Sequence, residues 1–254
     1  MTVTADAWTQ AALFLVSLLA NMLSALSGGG AGLLQLPALI FLGLPFGIAL
    51  ATHKVASVAL GLGATLRYLR ADVLERSRAL FILACGLPGV FIGAQIILHV
   101  PGRVAELTLG VLTIALGVYS WVRPELGQTA RPVVSDRRTL VIGGLVLFLI
   151  GVVNGSLTSG SGLFVTLWLV RWFGLDYKRA VAYTLILVGV FWNGTGAITL
   201  GLQAPIAWAW LPALLAGSLI GGYLGAHLAI ARGNRLIKRC FEIVTVLVGL
   251  KLLM

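Results

Sequence analysis

Hydrophobic residues run in long stretches along this chain, separated by short polar or glycine-rich interruptions. Ten apolar segments stand out, at residues 11–27, 31–43, 48–66, 79–98, 104–122, 139–157, 162–173, 180–200, 206–231 and 236–254. A straight helix needs about 20 residues to cross ~30 Å of hydrocarbon, so the second and seventh segments are too short to cross alone. The pattern predicts an all-α integral membrane protein, with a short element at the same place in each half.

The halves answer each other over most of their length. Ser27-Gly28-Gly29-Gly30-Ala31-Gly32 is matched by Thr158-Ser159-Gly160-Ser161-Gly162, and each glycine break precedes a short segment. Gly43-Leu44 aligns with Gly174-Leu175, Ala49 with Ala180 and Gly63 with Gly194. After one more inserted residue, Gly93-Ala94 aligns with Gly225-Ala226 and Arg103 with Arg235. An odd number of crossings per half makes the second copy enter from the opposite side. The expected organisation is two inverted repeats of about five hydrophobic segments each, at residues 1–122 and 139–254, with glycine-broken short helices and a linker at 123–138. Five spans per repeat, and three spans plus a re-entrant hairpin, both satisfy that parity.

Charge gives the orientation. Arg67, Arg70, Arg76 and Arg78 lie in one inter-segment loop, while the equivalent Gly201-Leu202-Gln203-Ala204-Pro205 carries none. The uncharged Leu44-Pro45-Phe46-Gly47 is matched by a region holding Arg171, Lys178 and Arg179. With the linker arginines (Arg123, Arg131, Arg137, Arg138) and the last loop (Arg232, Arg235, Lys238, Arg239), one face collects 15 of the 18 basic residues. The positive-inside rule makes that face cytoplasmic and places both termini on the non-cytoplasmic side of the inner membrane. No Lys or Arg occurs in the first ten residues, so the first segment reads as a permanent membrane element rather than a cleaved signal.

Composition agrees, with 59% hydrophobic and 10% charged residues and a mean hydropathy of +1.02. The net charge of +10 orients helices and does not indicate a nucleic-acid partner, since the cations sit in short loops between apolar runs. Cys85 and Cys240 form neither a disulfide framework nor a metal spacing. Enzymatic chemistry finds no support: there is no zinc-ligand spacing, nucleophile elbow, carboxylate pair or phosphate loop. His53, His99 and His227 lie in separate segments. No cofactor is expected.

The two glycine breaks are the first candidate site. Backbone amides of Gly28, Gly29, Gly30 and Ala31, and of Ser159, Gly160, Ser161 and Gly162, would open the short helices. Free N–H groups and the positive end of the dipole make such helix starts anion sites. Ser27, Thr158, Ser159 and Ser161 add hydroxyl donors. Thr52-His53-Lys54 is the second constellation, with Tyr183-Thr184-Leu185 at the equivalent positions of the other half, so the charge is not duplicated. An intramembrane lysine reads either as a functional cation or as a snorkelling side chain. Every carboxylate falls in a loop or near a segment end. Proton coupling would therefore use His53 or a protonated substrate, and sodium would be held by carbonyls and hydroxyls at the breaks. Asn21, Asn154 and Asn193 flank the breaks and read first as interhelical hydrogen-bonding residues, with binding of a substrate oxygen as the alternative. Trp8, Trp121, Trp172, Trp208 and Trp210 read as interface anchors, and Trp168 and Trp192 as deeper aromatics.

The run Gly28-Gly29-Gly30-Ala31-Gly32-Leu33 through Pro37, then Gly43-Leu44-Pro45 and Ala49-Leu50-Ala51-Thr52-His53-Lys54, resembles the TauE/SafE family of sulfite and organosulfonate exporters. The second copy departs from it, with Ser159-Gly160-Ser161-Gly162 in place of the glycine triplet and Trp168 in place of a proline. The resemblance implies export of a small sulfur-containing anion, such as sulfite or sulfoacetate, through the lipid bilayer. A passive anion channel and a non-transporting membrane subunit remain as alternatives, and the oligomeric state stays open.

Overall fold

The computed structural model describes residues 6–69, 74–97, 102–133, 136–156 and 160–254. The described residues are helical apart from turns and the linker. In chain order the helices are α1 (Ala7–Ser27), α2 (Gly32–Phe41), α3 (Phe46–Tyr68), α4 (Arg76–Ile96) and α5 (Gly102–Trp121). After the linker come α6 (Arg137–Ser156), α7 (Ser161–Trp172), α8 (Tyr177–Gly201), α9 (Leu211–Arg232) and α10 (Asn234–Leu253). Among the described residues six helices, α1, α3, α4, α6, α8 and the one ending at Arg232, are long and apolar enough to cross a membrane. The protein is a multi-pass, all-α membrane protein.

Both short helices fold back on the helix before them. In the first half, Gln35 of α2 donates from Nε2 to Ser17 Oγ of α1 at 2.9 Å, and Leu36 and Leu39 share a core with Leu13. In the second, Trp172 Nε1 donates to Thr139 O (3.0 Å) and Trp168 Nε1 to Gly143 O (3.3 Å), so the end of α7 lies beside the start of α6. At 10 and 12 residues these helices reach only about 15–18 Å. The short segments are therefore the returning arms of two helical hairpins.

The hairpins meet tip to tip. A Cβ on Gly29 would lie 2.6 Å from Leu163 N and 2.8 Å from Gly162 C, and one on Gly162 would lie 3.0 Å from Gly28 O. Gly28, Gly29 and Gly30 all have positive φ (82°, 153° and 100°), which glycine alone tolerates readily, so the sequence there permits both the turn and the backbone contact. The open ends of the hairpins lie at opposite ends of α8. The first opens where Gln10 Nε2 donates to Ala209 O, near the turn after Gly201. The second opens against the linker, where Arg131 N donates to Gly174 O and Tyr177 N to Gly127 O.

Around the hairpins, α1 packs on α9 and α4 on α6, while α3 packs on both α8 and α9. Glycine stripes at four-residue spacing make two of these contacts. Cβ atoms on Gly217, Gly221 and Gly225 of α9 would fall on the carbonyl oxygens of Phe14, Leu18 and Met22. Those on Gly89 and Gly93 of α4 would fall on the carbonyls of Phe148 and Val152, and Gly151 and Gly155 return the contact onto Gly86 and Val90. Small residues in such stripes let membrane helices approach to backbone contact. One expectation for the tryptophans needs correction. Trp210 is buried (2% exposed) because it packs with Leu13, Leu39 and Leu214 instead of facing an interface. Trp8, Trp121 and Trp208 are exposed, as interface anchors are.

Gly221→Val should separate α9 from α1 and cost about 1–3 kcal/mol, seen as a lower unfolding temperature in detergent. Gly194→Ala, where nothing lies within 4 Å of the added carbon, should leave that temperature unchanged.

Candidate functional site

A cavity of about 40 Å³ lies where the hairpin tips meet α3 and α8. It is far below the ~300–1,000 Å³ of pockets for drug-sized ligands. Ser57 and Gly189, the central residues of α3 and α8, both line it, so it sits at mid-height in these helices. Of the residues expected at the site, Gly28, Gly29, Gly30, Ala31, His53, Ser161, Gly162 and Thr184 line this cavity together. Thr158 and Ser159 lie outside the described residues.

The local chemistry of the first break differs from a simple helix start. Gly28 N and Gly29 N both donate to Ser24 O (2.8 and 2.9 Å), closing the C-terminus of α1. They are therefore not free donors, contrary to the expectation for all four amides. The N–H groups of Gly30, Ala31 and Gly32 have no acceptor among the described residues. Ser27 is also removed from the cavity: its hydroxyl lies 2.9 Å from Leu23 O and 2.8 Å from Gly29 O, and braces the turn. At the second break, Gly160 (φ 83°) caps α7, with Leu163 N donating to its carbonyl at 2.9 Å, and Ser161 and Gly162 face inward. Thr166 Oγ1 donates to Gly28 O at 2.9 Å and lies 2.9 Å from Thr184 Oγ1, tying the two breaks to α8.

Thr52 and Lys54 do not line the cavity. Thr52 Oγ1 accepts from Ala207 N at 3.0 Å and fastens α3 to the turn before α9. Lys54 is fully buried, which removes the snorkelling alternative. Its Nζ donates to Asn154 O (2.7 Å), Asn154 Oδ1 (3.1 Å) and Asn193 Oδ1 (3.2 Å). Three acceptors match the three hydrogens that an ammonium would donate. Among the described residues no carboxylate lies in ion-pair contact with it.

This cation orients the cavity wall. A lysine only donates, so both asparagine oxygens turn toward it and both amide N–H₂ groups turn away. Asn154 Nδ2 donates to Ser161 Oγ at 2.8 Å and, at 3.5 Å, to Asn193 Oδ1, and Asn193 Nδ2 has no acceptor among the described residues. Asn154 and Asn193 both line the cavity. The intramembrane amides were visible in the sequence, but their place between the lysine and the cavity was not. The π-helical stretch of α8 (Thr184–Trp192) contributes too. Its i→i+5 pattern sets residues about five apart on one face, the spacing of Thr184 to Gly189 and of Val188 to Asn193, all in the lining. Asn21 stays outside, bonded to Ser17 and Ser218 between α1 and α9. Trp168 and Trp192 line nothing here: Trp168 stacks on Trp172, and Trp192 is buried against Gly86.

His53 closes one side of the cavity. Its Nδ1 is 2.7 Å from Gln35 Oε1, and its Nε2 is 3.2 Å from Ser57 Oγ. Because Gln35 Nε2 already donates to Ser17, its Oε1 must accept, which places a hydrogen on His53 Nδ1. A buried polar chain thus runs from the cavity through His53, Gln35 and Ser17 to Ser218 and Leu214 O.

A multi-pass helical fold with two broken hairpins meeting at a small, donor-lined cavity belongs to the class of membrane transporters. Comparison narrows this: the family described as "Sulfite exporter TauE/SafE" matches residues 13–252, and the chain belongs to it. It is 30% identical over 247 residues to "Probable membrane transporter protein YfcA" of Escherichia coli (strain K12), covering 95% of this chain and 88% of that one. It is 30% identical over 244 residues to "Probable membrane transporter protein ORF9" of Sinorhizobium sp, covering 95% and 91%. A "Probable membrane transporter protein" of Haemophilus influenzae is 29% identical over 242 residues, covering 95% and 93%. No solved structure matches.

Lys54→Met should take the lysine donor from Asn154 O and Asn154 Oδ1 and leave Asn193 Oδ1 with only the long 3.5 Å contact from Asn154 Nδ2, at about 1–3 kcal/mol for each group left unpaired. The measurement is denaturant or thermal unfolding in detergent. A variant as stable as wild type would show that these bonds do not hold the wall.

Proposed function

We propose that the protein is a secondary transporter that exports a small sulfur oxyanion, sulfite in the first instance, across the cytoplasmic membrane by alternating access. The observation that carries this reading is the Lys54 ammonium, buried at mid-height behind the cavity and bonded only to neutral oxygens. A buried cation without a counter-ion costs several kcal/mol. An anion in the adjoining cavity offsets that cost, and a neutral solute does not. The Asn193 amide and the N–H groups of Gly30, Ala31 and Gly32 supply hydrogen-bond donors, and no carboxylate among the described residues lines the space. Its small volume favours a compact oxyanion over an organosulfonate such as sulfoacetate. The family description, which names sulfite export, supports the choice of substrate and direction.

The hairpins are read as the cores of two inverted repeats, residues 1–122 and 139–254, each entered from its own face of the membrane. The basic loops assign the linker at 123–138 to the cytoplasm and both termini to the other side. Rocking of one repeat on the other about the contact between Gly29 and Gly162 would expose the cavity to each side in turn. His53 is the group proposed to couple a proton. Ser57 Oγ is 2.9 Å from His53 O, so when it donates there it can accept from a protonated Nε2. The ring then takes a second proton with no heavy atom moved.

Purified protein in sealed liposomes should take up labelled sulfite saturably and faster under a proton gradient. Sulfur oxyanions should compete and lactate should not. Asn193→Leu should raise KM about tenfold, or ~1.4 kcal/mol. Flux that never saturates and follows the electrochemical gradient would make the protein a passive channel. No uptake of any tested anion by folded protein would remove the transport reading.

A further inference from the structure

Away from the central cavity, one face of α10 changes character along its length. Arg235 and Arg239, one turn apart, are followed on the same side by Ile243 and Leu247. Both arginines are exposed and make no ion pair or hydrogen bond among the described residues. Ile243 and Leu247 are each 61% exposed. The neighbouring helix α5 ends at Trp121, 71% exposed, the position of an aromatic at a membrane interface.

Two recesses follow this change. An apolar groove of about 610 Å³ runs between α5 and α10, with Val118, Ile243, Val246 and Leu247 in its walls. A polar recess of about 540 Å³ adjoins it, formed with the linker residues Pro124, Glu125 and Gln128. Trp121, Arg239 and Glu242 belong to both, so the two are continuous. The charges facing the polar recess are Arg235, Lys238, Arg239, Glu125 and Glu242. Lys238 and Glu242 pair at 2.5 Å, and Lys238 also donates to Ser120. That pair is neutral. Arg235 and Arg239 against Glu125 leave a net charge of one positive.

We propose that this continuous groove is a binding site for one anionic phospholipid, with its phosphate on Arg235 and Arg239 and an acyl chain in the groove between α5 and α10. Charge selects the head: basic recesses between helices at the cytoplasmic surface hold anionic lipid headgroups. Depth selects a lipid over a free phosphate. From Arg239 to Leu247 the helix descends about 12 Å, most of one ~15 Å leaflet of hydrocarbon, and beyond Glu242 the groove walls are apolar. A soluble phosphate compound would use the arginines and leave this length of groove without a role. The linker helps form the head recess, so a bound lipid would also fasten the connection between the two halves to the end of α5.

The experiment is native mass spectrometry of the full chain released from detergent containing either phosphatidylglycerol or phosphatidylcholine at equal concentration. Wild type is expected to retain one phosphatidylglycerol at least tenfold more than phosphatidylcholine. Arg235→Gln with Arg239→Gln should remove that preference. Leu247→Trp, which fills the exposed groove without touching the arginines, should lower phosphatidylglycerol retention at an unchanged unfolding temperature. Arg131→Gln, on the cytoplasmic surface outside both recesses, should retain the lipid as wild type does. Equal retention of the two lipids, or undiminished phosphatidylglycerol on the double variant or on Leu247→Trp, would overturn the proposal. So would stabilisation of wild type by glycerol phosphate to the same extent as by phosphatidylglycerol, since the site would then read a phosphate alone.

Discussion

A single ammonium, that of Lys54, sets the chemistry at the centre of this protein. It is fully buried and its three hydrogens go to oxygens of Asn154 and Asn193. A charge so placed is stable only if its hydrogen bonds are complete, and losing any one of them is expensive. The lysine therefore fixes both asparagine side chains, and through them the donor character of the cavity wall. Its charge reaches the cavity across one layer of amide groups. An anion in the cavity would be attracted without forming a direct ion pair, so it is held and can still leave, as a transported solute must be.

The second constraint is steric. The cavity exists because two hairpin tips reach backbone contact at Gly29 and Gly162, and a side chain at either position would force them apart. The glycine stripes of α4 and α9 work in the same way at the periphery, where they let α6 and α1 approach to carbonyl contact. Without water to drive apolar surfaces together, close backbone approach is a principal source of helix adhesion in a membrane. Glycines are thus distributed between two tasks: positive φ at the break, and absent side chains along the stripes.

Much of this organisation was legible in the sequence. The ten segments correspond to the ten helices, and the glycine breaks marked where the short helices begin. Local spacing could not reveal that α2 and α7 return along α1 and α6, because that depends on the hydrogen bond of Gln35 to Ser17 and those of Trp172 and Trp168 to the start of α6. At the site, His53 is marked by its neighbour, the intramembrane Lys54, and Thr184 by the equivalent position of the second half, and the two line one cavity. Ser27 and Thr52 stay out of the cavity lining for a common reason: each hydroxyl is taken up by a backbone group, Ser27 by the carbonyls of Leu23 and Gly29 and Thr52 by the amide of Ala207. Asn193 makes the interhelical hydrogen bond expected of it, to Lys54; which end of its amide then faces the cavity is a matter of three dimensions. The π-helical register of α8 lies in an apolar run whose sequence carries no distinguishing mark.

The account makes the buried cation the reason an anion binds, so the most direct test is equilibrium binding of sulfite, followed by calorimetry in detergent, to wild type and to a Lys54→Met protein whose helicity and monodispersity match wild type. Saturable binding to wild type is expected and none measurable to the variant, with sulfate and thiosulfate distinguished by affinity and a neutral solute not bound. Equal sulfite affinity in the two proteins would contradict it, because the cavity would then hold its anion without the charge from which this architecture has been derived.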